Sequence, residues 1–188
     1  LLMHCRGFTL IEMVTVIIIV ALITAGGTQF ISYAAESYLV SNLRSAAAGK
    51  GEIAAEKMAR ELRNALPYSA RSNIQCVEFI PVVAGSTYIN VPTTSAATSF
   101  LSVPMSASQS SASGRAVVYP INTAELYDLD NPGPISDTAT LSAPDGNNVV
   151  TVTLDSAHQF IATSPTQRYF LVDAPVSFCR DGNVLYRY

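Results

Sequence analysis

The chain has 188 residues, a net charge of −3 and 13% charged residues, about half the share of an average soluble protein. Of its residues, 49% are hydrophobic, and its mean hydropathy is +0.29. This composition excludes a highly charged disordered chain, and three cysteines are too few for a miniprotein built on disulfides. A sequence pI of about 5.3 argues against a general nucleic-acid binder. The length leaves room for one main domain and an appended segment.

The apolar excess is concentrated near the start of the chain, where an uncharged run extends from Met13 to Ala25. Extended back to Phe8, so that it includes Glu12, the apolar run ends at Ala25 and has 18 residues. As a helix it would be about 27 Å long, close to the thickness of a bilayer core. Three interpretations compete: a secretory signal peptide, an ordinary signal anchor, and a prepilin leader followed by a membrane-inserted helix. A signal peptide is cut after its apolar run at small residues, and Ile23–Ala25 offers only a weak site of this kind.

The residues that precede the apolar run favour the third interpretation. In Cys5–Glu12 a short basic leader ends at Gly7, and a carboxylate follows inside the apolar run. A glycine leaves the backbone accessible to a protease at the membrane face, and Arg6 favours a cytoplasmic leader. A carboxylate in a bilayer costs about 2.5 to 3.5 kcal/mol on insertion scales, so we expect Glu12 to have a functional partner. The alternative is a glutamate near the interface whose side chain reaches water.

This stretch resembles the type IV prepilin signature. In that family a dedicated peptidase cuts after the glycine, here Gly7, and N-methylates the new terminal residue, here Phe8. The resemblance implies a leader at 1–7 and a transmembrane and assembly segment at 8–25 that stays in the product. It also implies that Glu12 neutralises the terminal amine of Phe8 in a neighbouring subunit.

Glycines predict a segmented helix after the membrane segment. Bends or local melting are predicted at two glycine pairs, because each glycine costs about 1 kcal/mol in a helix interior. These pairs are Gly26-Gly27 and the two glycines on either side of Lys50, Gly49 and Gly51. From Glu52 to Leu66 the apolar residues recur at helical spacing, and Pro67 ends the pattern. We therefore expect the remainder of the N-terminal helix over 26–66.

Beyond Pro67 the periodicity becomes that of strands. One long helix followed only by strands predicts an α+β fold, with an antiparallel sheet in a globular head at 67–188. A hairpin turn is predicted at Asp181-Gly182, because that pair tolerates positive φ, and a second turn is predicted at Asp145–Asn148. The predicted strands are Ile74–Ile80, Ala116–Tyr119, Val149–Leu154, Arg168–Val172, Val176–Cys179 and Val184–Tyr188.

Two stretches are predicted as surface loops of the head. Thr93–Gly114 is rich in Ser, Thr and Ala, and Asp128–Asp137 contains Asn131-Pro132-Gly133-Pro134. The chain begins with Leu1 rather than Met and ends inside a predicted strand. We therefore expect a fragment whose head lacks one or more C-terminal strands, with Tyr188 on an edge exposed by truncation.

The cysteines predict one disulfide. Cys5 lies in the predicted leader, which leaves Cys76 and Cys179 as an even pair. In an oxidising periplasm we expect a bridge between them, which in the chain-entropy model stabilises the head by up to about 4.7 kcal/mol. The alternative is two buried thiols, because cysteines on separate strands need not face each other.

Residue patterns for catalysis are sparse. Outside the leader the single histidine is His158, which cannot build a zinc site of two or three histidines, and which we expect at a strand end, exposed or half-buried. The sequence has no G-x-S-x-G motif and no Gly-rich phosphate loop. Asp128 and Asp130 are weak calcium candidates, but Pro132 and Ala139 at the fifth and twelfth loop positions break the EF-hand spacing. We expect no enzyme and no cofactor.

The head carries an excess of negative charge. From Pro67 onward there are five Arg and Lys against nine Asp and Glu. A basic stripe is missing, so we expect no nucleic-acid partner.

Four further stretches extend the resemblance beyond the prepilin signature: Glu56–Pro67, Gln75–Phe79, Ser164–Cys179 and Tyr186–Tyr188. They resemble minor pilins of the mannose-sensitive haemagglutinin (MSHA) pilus of Gram-negative bacteria. The resemblance implies a structural subunit with a single inner-membrane span and a periplasmic head, which is extracted into a pilus and acts in its assembly, initiation or tip. Its partners would be other pilins and minor pilins, the prepilin peptidase and the inner-membrane assembly machinery.

Two alternatives stay open. One is a minor pseudopilin of a type II secretion system, which shares the same N-terminal signature. The other is an adhesive binding module displayed at the tip, with Thr93–Gly114 as its contact surface.

Overall fold

The computed structural model of the chain describes residues 8–106 and 109–188. The predicted leader, 1–7, lies outside the described residues. The chain divides into two compact units between Ala55 and Glu56. The first contains most of the N-terminal helix, and the second contains the end of that helix and all the strands described below.

One helix, α1, runs from Leu10 to Arg63 without a break, so the predicted local melting at the glycines is wrong. At Gly26 and Gly27 the hydroxyl of Thr24 donates to the carbonyl of Val20, and that of Thr28 to the carbonyl of Ala25. Each glycine weakens the helix by about 1 kcal/mol, but opening the helix there would also leave backbone groups unpaired. The many alanines and other good helix formers around the glycines therefore hold the helix together.

The helix also ends earlier than the sequence predicts. After Arg63 the chain leaves the helix, the carbonyl of Asn64 accepts from the N–H of Val82, and the N–H of Leu66 donates to the carbonyl of Ile80. These bonds pair the chain with a segment that lies far along the sequence. Tertiary pairing, not Pro67, thus sets the end of α1.

In the described part of the chain ten strands follow α1, and every strand pair is antiparallel. The predicted α+β class is confirmed. A short 3-10 helix, Ala124–Leu126, lies between β5 and β6. The strands are β1 (Arg71–Ser72), β2 (Cys76–Phe79), β3 (Val82–Thr87), β4 (Ala97–Ser102), β5 (Gly114–Val118), β6 (Ile135–Leu141), β7 (Val150–His158), β8 (Arg168–Val172), β9 (Val176–Asp181) and β10 (Val184–Arg187).

The strands form two sheets. The small sheet has the order β1-β2-β9-β10 and the large sheet the order β3-β8-β5-β6-β7-β4. The outer strands of the large sheet also meet each other, because a bridge joins Tyr88 and Ser102. Beside this bridge, the N–H of Ile89 donates to the carbonyl of Leu101 and the N–H of Val103 to that of Thr87. The large sheet is therefore rolled and closed at one end.

The inner face of the rolled sheet holds the largest core cluster. Phe100 makes edge-to-face contacts with Tyr169 and Phe160 at centroid distances of 5.3 and 6.0 Å. The hydroxyl of Tyr169 donates to Ser102 Oγ over 3.0 Å, so the buried polar groups satisfy each other. The buried cluster consists of Ala84, Tyr88, Phe100, Ala116, Val118, Ala139, Val152, Leu154, Phe160, Tyr169 and Leu171.

The small sheet packs on the end of α1. Phe79 and Phe178 stack at 6.2 Å, and with Val176 they pack against Met58 and other apolar residues of the helix end. The helical spacing of Met58 and Leu62 already predicted this apolar face. At its margin the Nε of Arg187 in β10 contacts Glu61 Oε2 at 3.0 Å.

Strands interrupt both predicted loops. β4 lies within Thr93–Gly114, and β6 begins within Asp128–Asp137. Neither strand contains a continuous run of β-branched residues. Both strands form because β7 supplies a pairing partner. In β4 the alternation is nonetheless visible, since Phe100 and Ser102 are buried while their neighbours are exposed.

The two predicted turns are present with different key residues. In the β9–β10 hairpin Val184 pairs with Asp181, so the loop is Gly182-Asn183, and Gly182 has a φ of 58°. In the earlier turn Asn148, not the glycine, adopts positive φ, at 60°. There the Asp145 carboxylate accepts from the backbone N–H groups of residues 147 and 149.

Candidate functional site

The predicted processing and assembly residues lie at the start of α1. Gly7, the predicted cleavage position, lies outside the described residues. Phe8, the predicted methylation position, is exposed and precedes the helix, which begins at Leu10. Thr9 also precedes the helix and accepts the backbone N–H groups of Glu12 and Met13 at 3.1 and 3.3 Å.

Glu12 occupies the first turn of α1. A carboxylate is favoured there, because the unpaired N–H groups of a helix start carry partial positive charge. Its carbonyl accepts from the hydroxyl of Thr15 at 2.9 Å. Among the described residues the ion pairs do not involve Glu12, and its side chain is exposed. The carboxylate is therefore available to a partner outside the chain.

The apolar run forms the next turns of the same helix. A window of 18 residues has a mean hydropathy of 2.4, and no part of it is buried. By length and composition this helix can cross a membrane. A helix that is apolar on all sides and uncovered belongs in lipid or against other helices, not in water.

His158 lies at the end of β7, as predicted, but it is buried, with 4% of its surface exposed. Its Nε2 donates to the carbonyl of Gly133 over 3.0 Å, and its ring packs edge-on against Phe160 at 4.8 Å. Burial lowers the pKa of His158, and the contact with Gly133 opposes this only in part. The side chain is a neutral core residue whose proton is committed to a backbone carbonyl.

Ser156 and Asp137 line the same small cavity as His158. Ser156 Oγ donates to Asp137 Oδ2 at 3.5 Å, whereas the histidine uses Nε2 for Gly133. A nucleophile needs the histidine as its base and the carboxylate behind the histidine. The observed contacts join the serine directly to the carboxylate, so the geometry lacks the order of a catalytic triad.

The calcium candidates Asp128 and Asp130 are both exposed in the loop after the 3-10 helix. Among residues 8–106 and 109–188, no group of three or more His, Cys, Asp and Glu side chains is placed to hold a metal ion. Within that part of the chain, Asp128 and Asp130 therefore have no third acidic side chain beside them to complete a metal site.

Cys76 of β2 and Cys179 of β9 form a disulfide. The two residues are directly opposite each other, with Cα atoms 4.1 Å apart. The neighbouring pair, Gln75 and Arg180, carries the backbone hydrogen bond, so the cystine occupies a non-hydrogen-bonded position where side chains approach most closely. The bridge closes a sequence separation of 103 residues.

A polar cluster on the outer face of the small sheet has no counterpart in the sequence predictions. Arg71 lies with its guanidinium carbon 3.5 Å from the ring centroid of Tyr127, and its Nε pairs with Glu78 on the neighbouring strand. The hydroxyl of Tyr127 donates to the carbonyl of Ser69 at 2.7 Å. Burial, with Glu78 adding to it and Arg71 opposing it, raises the pKa of Tyr127 to about 12.

This cluster could not be found from sequence spacing. Arg71 and Glu78 face each other only because a tight turn at Asn73 joins β1 to β2, and the predicted strand, Ile74–Ile80, does not reach Arg71. Tyr127 reaches the pair from the 3-10 helix region. The nearest signal was Ser72-Asn73, a turn-forming pair beside the predicted strand start.

Comparison with known proteins bears on the N-terminal residues alone. Residues 2–28 match the family described as the prokaryotic N-terminal methylation motif. No curated protein and no solved structure matches the chain. The start of this chain is thus similar to the signal of type IV pilin-like prepilins, and together with the apolar helix α1 it supports a pilin-like or pseudopilin subunit with an inner-membrane anchor.

Proposed function

We propose that this chain is a minor pilin, a structural subunit of a type IV pilus of the MSHA type, similar to the group called MshO. The observation that carries the proposal is a methylation motif joined to a continuous, uncovered apolar helix with one carboxylate in its first turn. The choice of the MSHA branch rests on the resemblance in Glu56–Pro67 and the strand sequences of the head. Nothing in the geometry assigns an enzymatic reaction to the described residues.

The proposed route begins with cleavage after Gly7 and N-methylation of Phe8. Residues 8–25 then hold the subunit in the inner membrane, with the head, 67–188, in the periplasm. During assembly the subunit leaves the membrane, and neighbouring helices replace lipid around the apolar run. Removing so much apolar surface from both lipid and water requires close packing of helices in the filament.

Glu12 favours the replacement of lipid by a neighbouring pilin helix. In lipid an unpaired carboxylate is costly, so a contact with the amine of Phe8 in a neighbouring subunit favours the assembled state. In the single chain the helix start at Leu10 leaves the Glu12 carboxylate exposed, which suits a contact between chains.

A type II secretion pseudopilin is the second candidate, because the methylation motif serves both systems equally. The two differ in the filament that contains the mature chain. Membrane anchoring, head export and processing are the same in both cases.

The test is the N-terminus and location of the mature protein in its own host. We expect mass spectrometry to find N-methylated Phe8 and to find the chain in sheared pili. A Glu12→Gln variant should be processed at the same residue but should be depleted from pili, and Glu56→Gln on the exposed part of α1 is the matched control. A mature protein that starts after Ala25 would instead show a signal peptide and overturn the proposal.

A further inference from the structure

One ring nitrogen of His158 has a free lone pair. A carbonyl can only accept, so Nε2 carries the proton that it donates to Gly133, and Nδ1 is unprotonated. In the described part of the chain Nδ1 has no hydrogen-bond partner, yet no fully buried side-chain nitrogen or oxygen there lacks one. Solvent therefore reaches Nδ1, although the residue is only 4% exposed. A histidine that binds a metal ion usually donates its other N–H to a carbonyl or carboxylate in this way.

Solvent has access to His158 through a small cavity of about 100 Å³. The cavity is formed by β6, β7 and the loop that precedes β6. Its lining residues are Leu129, Asn131, Ile135, Asp137, Ser156 and His158. Four of these six side chains carry an atom that can bind a cation, and the volume is sufficient for an ion and water molecules.

The spacing of Asp137 and Ser156 suits a shared ion better than a direct hydrogen bond. Asp137 Oδ2 and Ser156 Oγ are 3.5 Å apart. A hydroxyl that donates to a carboxylate usually lies about 2.5 to 2.7 Å from it, so the observed contact contributes little. Two ligand atoms on one tetrahedral ion, with bonds of about 2.1 Å, are about 3.4 Å apart.

The strand ladder ends at the same place. The pairing of β6 with β7 runs from Leu141 to Ala139, which is opposite Leu154. Continued by two residues, this register would place Asp137 opposite Ser156. In the described structure the cavity lies there instead of a further ladder pair. An ion held by both strands would take the place of the missing pair.

Further contacts orient the ligand atoms of Asp137 and Asn131. Asp137 Oδ1 accepts from the backbone N–H of Thr138 at 3.0 Å, which leaves Oδ2 for the cavity. Asn131 Oδ1 accepts from the N–H of Gln159, and its Nδ2 donates to the carbonyl of Ala157, both at 2.9 Å. Metal ligands are commonly held by hydrogen bonds of this kind, which reduce the cost of ordering them on binding.

We propose that His158 Nδ1, Asp137 Oδ2 and Ser156 Oγ bind a Zn²⁺ ion, with Asn131 Oδ1 or a water molecule as the fourth ligand. An imidazole nitrogen combined with carboxylate oxygen is a donor set that Zn²⁺ accepts. Ca²⁺ and Mg²⁺ prefer oxygen ligands alone, so the histidine selects against them. Only two of these ligands are histidine or carboxylate, and we therefore expect weaker binding than at a structural zinc site of four Cys and His residues.

Zinc titration of the full chain in detergent, without a histidine tag, tests the site. His4 and Cys5 could bind zinc themselves, so every protein compared carries His4→Ala and Cys5→Ser. Cys76 and Cys179 are bonded to each other and offer no thiol. After treatment with a chelator and its removal, calorimetry should find one Zn²⁺ per chain. The melting temperature should rise with zinc, because only the folded chain has the site, and Ca²⁺ at equal concentration should have neither effect.

Variants of the ligands locate the binding. Asp137→Asn should weaken zinc binding at least about tenfold, because loss of even a hydrogen-bond partner of a ligand costs roughly 10- to 100-fold. His158→Gln keeps an N–H donor for Gly133 but removes the imidazole, and we expect a similar loss. Asp155→Asn is the matched control: it is exposed on β7 and is not a lining residue of the cavity, so zinc binding should be unchanged.

The nitrogen that binds zinc can be identified without altering the site. With His4→Ala, His158 is the single histidine, so the ring nitrogen resonances of labelled protein need no further assignment. Zinc should shift the resonance of Nδ1, while Nε2 stays protonated. The inference is wrong if zinc does not bind, if it binds through Nε2, or if its affinity is the same in Asp137→Asn as in Asp155→Asn.

Discussion

Cys76 and Cys179 are directly opposite each other on neighbouring antiparallel strands, with Cα atoms 4.1 Å apart. The bridge fastens β2 to β9, and these strands carry Phe79 and Phe178, which pack against the end of α1. The covalent link therefore lies in the sheet that holds the helix end. Its loss would loosen strands whose sequence positions are 103 residues apart.

We predict that Cys76→Ser combined with Cys179→Ser lowers the free energy of unfolding by about 2 to 5 kcal/mol, because the unfolded chain regains the entropy of a long open loop. Urea unfolding of the full chain in detergent, followed by tyrosine fluorescence, measures the change. Reductant should produce a similar loss in the original protein and none in the variant. Equal stability of the oxidised protein and the variant would contradict the prediction.

The helix end should depend on apolar packing far more than on its ion pair. Phe178 is 5% exposed and stacks on Phe79, so Phe178→Ala should cost about 3 to 5 kcal/mol. The contact between Arg187 and Glu61 is partly exposed, so Arg187→Ala should cost less than about 1 kcal/mol. Thermal unfolding of both variants under one set of conditions gives the comparison. A larger effect from Arg187 would show that the ion pair, not the apolar cluster, fixes β10 and its neighbours.

His158 gives the head a defined dependence of stability on pH. Burial lowers its pKa in the folded state below the ordinary 6.5, so the unfolded state binds more protons as pH falls. Stability from the neutral ring is complete above pH 6.5 and declines as pH falls from 6.5 through the lowered pKa. Urea unfolding at several pH values between 8 and 5 should show this decline.

The control for that titration is His158→Gln, which keeps an N–H donor for the carbonyl of Gly133. All other side chains are the same in the two proteins, so the difference between the two curves isolates the histidine. We expect the variant to be less stable at pH 8 and to lose less stability on acidification. Parallel curves would mean that His158 takes up its proton equally in both states.

Gly26 and Gly27 should tolerate larger residues without harm to the helix. Apart from the adjacent residues and the nearby backbone of α1 itself, a Cβ at either position would meet no atom within 4 Å, and both glycines lie inside continuous α1. Gly26→Ala and Gly27→Ala should each stabilise the helix by about 1 kcal/mol. Amide hydrogen exchange of the full chain in micelles should slow around residues 26–28, and Ala25→Gly should have the opposite effect.

The parts of the fold that follow local pattern were predictable. Arg168–Val172 is a dense apolar and aromatic run, and β8 has the predicted bounds. The helix face of Met58 and Leu62 follows simple 3.6-residue spacing. In both cases the pattern that predicts the element lies within a few neighbouring residues of the sequence.

Other parts depend on distant residues and leave no local signal. β4 forms because β7 pairs with it, although half of Ala97–Ser102 is Thr or Ser and its large apolar residues are only Phe100 and Leu101. His158 is buried because Gly133 and Phe160 surround it, whereas the sequence favoured a more exposed site. Composition and spacing indicate which segments can form strands, but the pairing of strands decides which polar segments become buried.

The candidate site at the start of α1 is the opposite case. Its apolar run and Glu12 could be found from the sequence because these residues are close together in the sequence and lie on one helix. The cluster of Arg71, Glu78 and Tyr127 joins three elements and could not be found in that way. Linear motifs reveal sites on single elements, and only the folded chain reveals sites between elements.

The bridge between Tyr88 and Ser102 also constrains how the head folds. β3 and β4 lie at opposite ends of the large sheet in strand order, yet they are consecutive in the chain. Closing the loop between them costs little entropy, because few residues separate Thr87 from Ala97. Because a chain is synthesised from its N-terminus, this short loop is present before β5 to β8. The four later strands therefore complete a ring whose two ends can already be in contact.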